Sequence, residues 1–450
     1  MATKESLSTN ARLDGTDLPP WRHPVSGLAI FVGLLLQIAS FTGAPIGSGL
    51  IGYFFWFAAA LLWFDLDPRT RLQAGVLSSA GLTLLVVSRI RYQADIDWPG
   101  ILGGNTYVVA MLVGVSFIGL IGSRRGGEQG QASVGTKGII STWLSVHLLG
   151  SILNLSSVFM IGDHIKARGS LNLPQVLTLN RGLSSAAFWS PFFASMGVAM
   201  SAAPDMNYIS ILMTGIPLAL VSGLITRSEM QRRFDISQVH GFSLSPTSLL
   251  LPVSMAALVM LFHYGLTPSL SIVSIITFLL PAAALLLNLP KGLGWTGRRI
   301  ISHTRTRLPS MRGEVSLFLS AGLFTLGLST FIDAATGSQW VLFEHFGARE
   351  AMLSYAAIVA SAMIGLHPII GVSTLASLLD IGSVNHTLLG LVALSAWGVG
   401  AAIGPLSGIN LSLQGRYGTN GYRIMRNNIV YALLMSCCIC VAIVFTATLT

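Results

Sequence analysis

The chain has 450 residues, of which 52% are hydrophobic and only 10% charged, with a formal net charge of +9 and a mean hydropathy of +0.70. Composition this apolar excludes an ordinary soluble domain, and helix-length apolar runs without period-two alternation exclude a β-barrel, so an all-α polytopic membrane protein is expected. The positive charge is divided among many short loops, which reads as topology and lipid contact and leaves no nucleic-acid footprint.

Residues 1–25 are polar, carry Lys4, Arg12 and Arg22, and lack a short apolar core with a small-residue cleavage site. They are expected to form a cytoplasmic tail without a cleaved signal peptide, the first span serving as the insertion signal. N-terminal scaffold helices should occupy 26–95, with spans at about 26–44, 48–65 and 72–90, and a fourth follows at about 101–122. Arg69 and Arg71 after the second span, and Arg124, Arg125 and Lys137 after the fourth, place both loops in the cytoplasm.

Residues 96–226 form the first of two expected repeats. A fifth span, about 138–162, precedes a stretch with Pro174, Pro191 and Pro204 that no single plain helix can hold, and a further span lies at about 207–225. A re-entrant hairpin and a broken helix are expected across about 145–205, irregular backbone being allowed at membrane depth only where protein or a water-filled cavity covers it. Linker helices at about 247–263 and 268–288 lead to a basic cytoplasmic loop with Lys291, Arg298, Arg299, Arg305, Arg307 and Arg312, so the linker region is 227–312. The second repeat, 313–450, has spans at about 315–335 and 428–448, a long interrupted segment at 351–380, and a hairpin and broken helix within about 365–418. Counting spans between basic loops gives the two repeats opposite directions, an N-terminus in the cytoplasm and a C-terminus in the periplasm of a bacterial-type inner membrane.

A sequence match supports the repeat independently. Gly150 to Tyr208 is a looser copy of Gly365 to Tyr422: Gly169-Ser170-Leu171-Asn172 corresponds to Gly382-Ser383-Val384-Asn385, Pro191 to Pro405, and Tyr208 to Tyr422. Gly and Pro interruptions at matching places in apolar sequence point to a transporter's binding site. Where helices break at the midplane, free N–H groups face anions and free carbonyls face cations, and small hydroxyls and amides complete the site. Those side chains are Asn154, Ser156, Ser157, Ser184, Ser185 and Ser190 beside Pro191 in the first repeat. In the second they are Ser373, Thr374, Ser395, Ser407 and Asn410 around the Gly404-Pro405 break. Asn154, Ser373 and Asn410 are the candidate sodium ligands, and interhelical hydrogen bonding is the alternative role for each.

Intramembrane His147 and His367 could bind a carboxylate, carry a proton, or simply be hydrogen-bonded within the bundle. Asp163, Asp333 and Asp380 lie near span ends, where they are expected to be ordinary solvated residues. Arg181 could pair a substrate carboxylate or snorkel to the surface. Cys437, Cys438 and Cys440 have neither metal-ligand spacing nor a separated disulfide partner and are expected to be apolar fillers.

The stretches LLGLVALSAWGVGAAIGPLSGINLSLQG and WSPFFASMGVAMSAAPDMNYISILMTGIP resemble the repeat signatures of the ion transporter superfamily, which includes divalent-anion/sodium symporters and the large membrane subunit of tripartite dicarboxylate transporters. The resemblance covers 138–226 and 350–449. It implies hairpin tips at Asn154, Ser156 and Ser157 and at Ser373 and Thr374, breaks at Ser190-Pro191 and Gly404-Pro405, and one site carried across the membrane by an elevator-like motion. Neither half has a clean Ser-Asn-Thr tip or a double-proline break.

The functional expectation is a secondary transporter of a small organic anion, a carboxylate or dicarboxylate, coupled to sodium or protons, with no other cofactor. No G-x-x-x-x-G-K-[ST] loop supports ATP drive. A membrane enzyme acting on a lipid-linked substrate, and a permease subunit with a periplasmic binding partner, are the alternatives. Membrane lipid and a second copy of the chain in a homodimer are the expected partners.

Overall fold

The computed structural model describes residues 21–121, 132–167, 169–244, 250–337, 340–380 and 382–449. The expected polar tail up to residue 20 and the Arg124–Arg125 loop lie outside the described residues. Eight helices among those described are long and apolar enough to cross a membrane, and the chain is an all-α multi-pass membrane protein.

The first four spans fall where hydropathy puts them. They are α1 (Arg22–Phe41), α2 (Ser48–Leu61), α3 (Pro68–Tyr92) and a segmented span made of α4 (Trp98–Leu102), α5 (Thr106–Ser116) and α6 (Ile118–Ile121). Asp67 starts α3 by accepting from the backbone N–H groups of Arg69 and Thr70, with Pro68 at the first helical position.

The expected fifth span is divided. α7 (Gly135–Leu153) ends and α8 (Leu155–Lys166) begins at Asn154, which adopts φ +50°. Next come α9 (Leu173–Ser185), a break at 189–193, α10 (Ala194–Ala202) and the long α11 (Tyr208–Arg233). Pro174 does not interrupt a helix: it sits in the first turn of α9, capped by the reciprocal Asn172–Gln175 box.

Two short strands were not expected. β1 (Ala132–Val134) pairs antiparallel with β2 (His240–Phe242), Ala132 opposite Phe242. This ribbon gathers several helix ends. The His164 ring near the end of α8 lies 4.9 Å from the Phe242 ring. Gln175 Nε2 at the start of α9 donates to His240 O at 2.7 Å, and the Phe242 N–H donates to Thr142 Oγ1 on α7 at 2.8 Å.

The linker region holds α12 (Leu250–Leu261), α13 (Ile272–Asn288), α14 (Leu293–Ser302) and the short α15 (Leu308–Ser310). α16 (Arg312–Thr336) packs along α3, where Gly81 and Gly327 face each other so closely that a Cβ on Gly327 would stand 2.6 Å from Gly81 O. Small residues permit this approach, and Ser78 donates across it to Ser320 at 2.9 Å.

After α16 the order of α7–α11 recurs. α17 (Ala348–Met363) ends at a Gly365 with φ +103°, α18 (Pro368–Ser377) follows, α19 (His386–Ile403) breaks at 404–407, and α20 (Gly408–Tyr417) leads to the long α21 (Gly421–Leu449). The sequence-matched residues fall at equivalent places. Asn172 and Asn385 cap α9 and α19, Pro191 and Pro405 lie in the two breaks, and Tyr208 and Tyr422 open α11 and α21. The interrupted segment expected at 351–380 is the pair α17–α18, and the later part of the stretch expected to hold a hairpin and broken helix, about 365–418, is a helix broken at 404–407.

Candidate functional site

Four short helices have their first residues on one cavity of about 510 Å³. Leu155 and Ser156 begin α8, Ala194 begins α10, Pro368 begins α18, and Gly408 and Ile409 begin α20; all line the space, together with Asn154, His367, Trp397 and Ser407. A helix N-terminus exposes unpaired N–H groups and the positive end of the helix dipole, so four together make a site suited to an anion.

Local chemistry holds each terminus in place. Asn154 Nδ2 donates to Phe192 O at 3.3 Å, fastening the α7–α8 corner to the break before α10. Ser190 Oγ donates to Ser151 O on α7 and accepts from the Phe192 N–H at 3.2 Å. Opposite, His367 caps α18 by accepting the Ile369 N–H on Nδ1 at 3.2 Å, and its ring meets Trp397 edge-on at 4.9 Å. With Nδ1 used as an acceptor, neutral His367 carries its proton on Nε2, which leaves one N–H donor. Ser407 caps α20, accepting from the Asn410 N–H at 3.3 Å while its own hydroxyl donates to Ala401 O at 2.7 Å.

The candidate residues divide into two sets. Asn154, Ser156, Ser184, His367 and Ser407 line the cavity, whereas Pro191, Gly404 and Pro405 shape the breaks beside it. Ser157 lies one residue past Ser156 and turns away, its hydroxyl donating to Asn154 O at 2.8 Å. Ser373 and Thr374 sit within α18 rather than at its tip, and Thr374 Oγ1 donates to Ile370 O at 2.7 Å in the same helix. The turn between α17 and α18 runs through Gly365 to His367. Ser395 is buried in α19 and its hydroxyl has no hydrogen-bond partner among the described residues.

Asn410 is fully buried behind the cavity and holds the break closed. Its Nδ2 donates to Gly404 O at 2.9 Å and Ala402 O at 3.2 Å, and its Oδ1 accepts from Asn180 Nδ2 at 2.7 Å. That oxygen is engaged by Asn180, and Ser373 lies within α18 and is not among the residues that line the cavity. Asn410→Ala removes three buried hydrogen bonds, although Gly404 O keeps the Ser407 N–H and Ala402 O keeps Asn428 Nδ2, and is expected to cost about 1–3 kcal/mol, lowering the melting temperature in detergent, while Ser373→Ala costs less than about 1 kcal/mol.

The residues that sequence reasoning missed form a buried polar chain behind Asn410. Asn428 Nδ2 donates to Asn180 Oδ1 at 3.0 Å and Ala402 O at 2.8 Å, and Arg181 Nε donates to Asn428 Oδ1 at 2.8 Å. Arg181, with no exposed surface, pairs Glu229 at 2.8 Å, and its guanidinium lies 4.5 Å from the Tyr431 ring centroid. It neither snorkels nor reaches the cavity. Glu229 also pairs Arg233 one turn later on α11, an i,i+4 spacing that the sequence does display.

His147 is satisfied in the bundle. Trp189 Nε1 donates to its Nε2 at 3.1 Å, Ser185 Oγ lies 2.9 Å from its Nδ1, and Trp143 stacks on it at 4.8 Å. Asp163 accepts from Arg416 Nε at 2.8 Å and Tyr417 at 3.1 Å, joining the ends of α8 and α20. Arg307, Met311 and Glu314 stand at the cavity mouth, the last two unforeseen.

No protein-family model matches the chain, and no curated protein matches it significantly. Among solved structures it is similar to the YdaH transporter of Alcanivorax borkumensis, whose crystal structure was described as having an unusual topology. The two are 15% identical over 94% of this chain and 98% of that one, with a TM-score of 0.40.

Proposed function

We propose that the chain is a secondary transporter of a small organic anion, a carboxylate or dicarboxylate, and that two inverted repeats, each a re-entrant hairpin followed by a broken helix and a long span, build its site. The observation that carries the reading is the convergence of the N-termini of α8, α10, α18 and α20 on one cavity.

The inverted arrangement is supported by where helix ends meet. The free ends of α7 and α8 lie together at the β1–β2 ribbon, whereas the Leu342 N–H before α17 donates to Leu378 O after α18 at 2.8 Å. The start of α19 meets the loop between α10 and α11, where the Asn207 N–H donates to Thr387 Oγ1 at 3.0 Å; the end of α20 meets the end of α8 near the ribbon. The two hairpins thus enter from opposite ends. Arg232 and Arg233 close α11 at the ribbon end, which is cytoplasmic by the positive-inside rule.

The lining favours an organic anion of modest size. A volume of about 510 Å³ is within the range of small-molecule pockets, and leucine, phenylalanine, methionine and tryptophan side chains offer an apolar wall to the ligand's body. Among the described residues the cavity is lined by one cation, Arg307, and one anion, Glu314, so the wall carries no net charge, and Arg181 is committed to Glu229. An anion held there by helix dipoles, the His367 Nε2–H and neutral hydroxyls keeps an uncompensated charge in a low-dielectric space. Binding a sodium ion or proton with it offsets that cost, which is the physical basis for symport. An elevator-like motion of α7–α11 and α17–α21 against the other helices would then carry the site across.

The test is uptake of labelled mono- and dicarboxylates into proteoliposomes under imposed sodium or proton gradients. Gradient-dependent uptake of one class is expected. Correctly inserted protein that moves no carboxylate under either gradient would refute the reading.

A further inference from the structure

Beside the mouth of the central cavity lies a second, polar pocket of about 250 Å³ that the transport reading leaves without a role. One wall is a single face of α14 and the wide turn that continues it: Arg299, Ser302, His303, Thr306 and Arg307, at helical spacing. Ser116 at the end of α5 forms part of the other wall.

The charge in this pocket is unanswered. Neither Arg299 nor Arg307 has a carboxylate within ion-pair distance among the described residues: Arg299 stacks on Trp295 with 5.4 Å to the ring centroid, and Arg307 reaches only the Ser310 hydroxyl at 3.4 Å. Ser116 spends its proton on Val113 O at 2.6 Å, so it accepts from His303 Nε2 at 2.9 Å. Burial, then the flanking Arg307 and Arg299, push the His303 imidazole down to about 4, so it is a neutral donor at neutral pH and the net charge comes from the two guanidiniums. Two guanidiniums and the Ser302 hydroxyl match the several acceptor oxygens of a phosphate group, the Ser116 and Thr306 protons being used on Val113 O and Ser302 O.

The surroundings indicate where that phosphate comes from. α14 and the residues before it turn large apolar side chains outward, Leu293 being 79% exposed and Leu286 65%. Trp295 is flanked by Lys291 at 4.8 Å as well as by Arg299, and an aromatic ring set among basic residues is the pattern of a helix lying at a membrane surface.

We propose that this pocket binds a phosphate group, presented by the headgroup of an anionic phospholipid, inorganic phosphate being the other source of the same chemistry. The inference is independent of what the central cavity transports. Ser116, Gly119 and Arg307 line both spaces, so an occupied pocket would fix the Arg307 side chain on the cavity wall.

The experiment is a binding titration of the purified full chain by native mass spectrometry, with phosphatidylglycerol and phosphatidylcholine, each with and without inorganic phosphate. Phosphatidylglycerol is expected to bind about tenfold tighter than phosphatidylcholine, or about 1.4 kcal/mol, and Arg299→Gln/Arg307→Gln should abolish the difference. Arg305→Gln, outside the pocket, should retain it. Gly119→Trp provides a second variant that keeps both arginines: Gly119 lines the pocket, and a Cβ there meets nothing within 4 Å, so the indole fills the space. Bound phosphatidylglycerol that millimolar phosphate does not displace identifies the lipid as the source. Displacement, or pocket-dependent binding of phosphate without a lipid preference, identifies the free anion. Folded variants of both kinds that bind phosphatidylglycerol and phosphate as the wild type does would overturn the proposal.

Discussion

Glu229→Ala is expected to destabilise the protein by about 3–5 kcal/mol, because it leaves the Arg181 guanidinium charged and fully enclosed with only amide and carbonyl oxygens for company. Arg181 has no exposed surface and Glu229 only 7%, so neither charge can be rescued by water. The effect should appear as a large fall in melting temperature in detergent and in the yield of monodisperse protein. Arg181→Met should cost less, since Glu229 keeps its pair with Arg233 and Asn427 O keeps the Arg233 donor, while Asn428 Oδ1 loses its donor. Combining Arg181→Met with Glu229→Leu should recover much of the loss, as a buried ion pair replaced by apolar groups is often near neutral. Arg233→Ala, which removes the more exposed partner of Glu229, should cost less than about 1 kcal/mol. A double-mutant cycle measures the coupling directly; additive single effects would mean that the pair is not a structural unit.

The second large effect is on transport. Gly408 opens α20 on the cavity wall, and a Cβ added to it meets nothing within 4 Å. Gly408→Trp therefore places an indole in open space without overpacking the helix. Uptake should fall about tenfold or more, equivalent to at least about 1.4 kcal/mol of lost transition-state binding, while the melting temperature stays close to that of the wild type. Gly415, on the same helix but away from the cavity, also has open space around its Cβ, so Gly415→Trp is the control expected to transport normally.

Most of the spans could be read from hydropathy, and α1, α3 and α16 lie within a few residues of their expected limits, while α21 begins seven residues earlier than expected. The matched Asn and Pro positions fall on like features, helix caps at Asn172 and Asn385 and breaks at Pro191 and Pro405, because caps and breaks leave marks in sequence that sheer apolarity does not erase. The α7–α8 corner falls at Asn154, where the resemblance implied a tip, whereas hydropathy gave one unbroken span at about 138–162. Leu153-Asn154-Leu155 contains neither Gly nor Pro, and the reversal rests on one asparagine at φ +50°. Hydroxyl content does not by itself mark a turn, since Thr374 and Ser377 bond to carbonyls one turn back in their own helix, and the turn before α18 is made by Gly365 to His367. Asn410 was singled out for the right neighbourhood and a different role. Whether a buried amide faces a cavity or a second amide depends on long-range packing, here a partner 230 residues away at Asn180. Arg181 shows the same point, because its partner Glu229 is on another helix and only the Glu229–Arg233 spacing is local.

The central claim is that an anion occupies the space where the four helix N-termini meet. The most direct test is protection of a cysteine at 408, using Gly408→Cys with Cys437, Cys438 and Cys440 replaced by serine, in proteoliposomes. The rate of modification by a membrane-impermeant thiol reagent is measured with and without the carboxylate identified by uptake. That carboxylate should slow modification in a saturable way, at concentrations matching its half-maximal uptake, and an uncharged analogue of the same shape should not. Unchanged modification by a substrate that the same vesicles still transport would place the anion elsewhere and contradict the account.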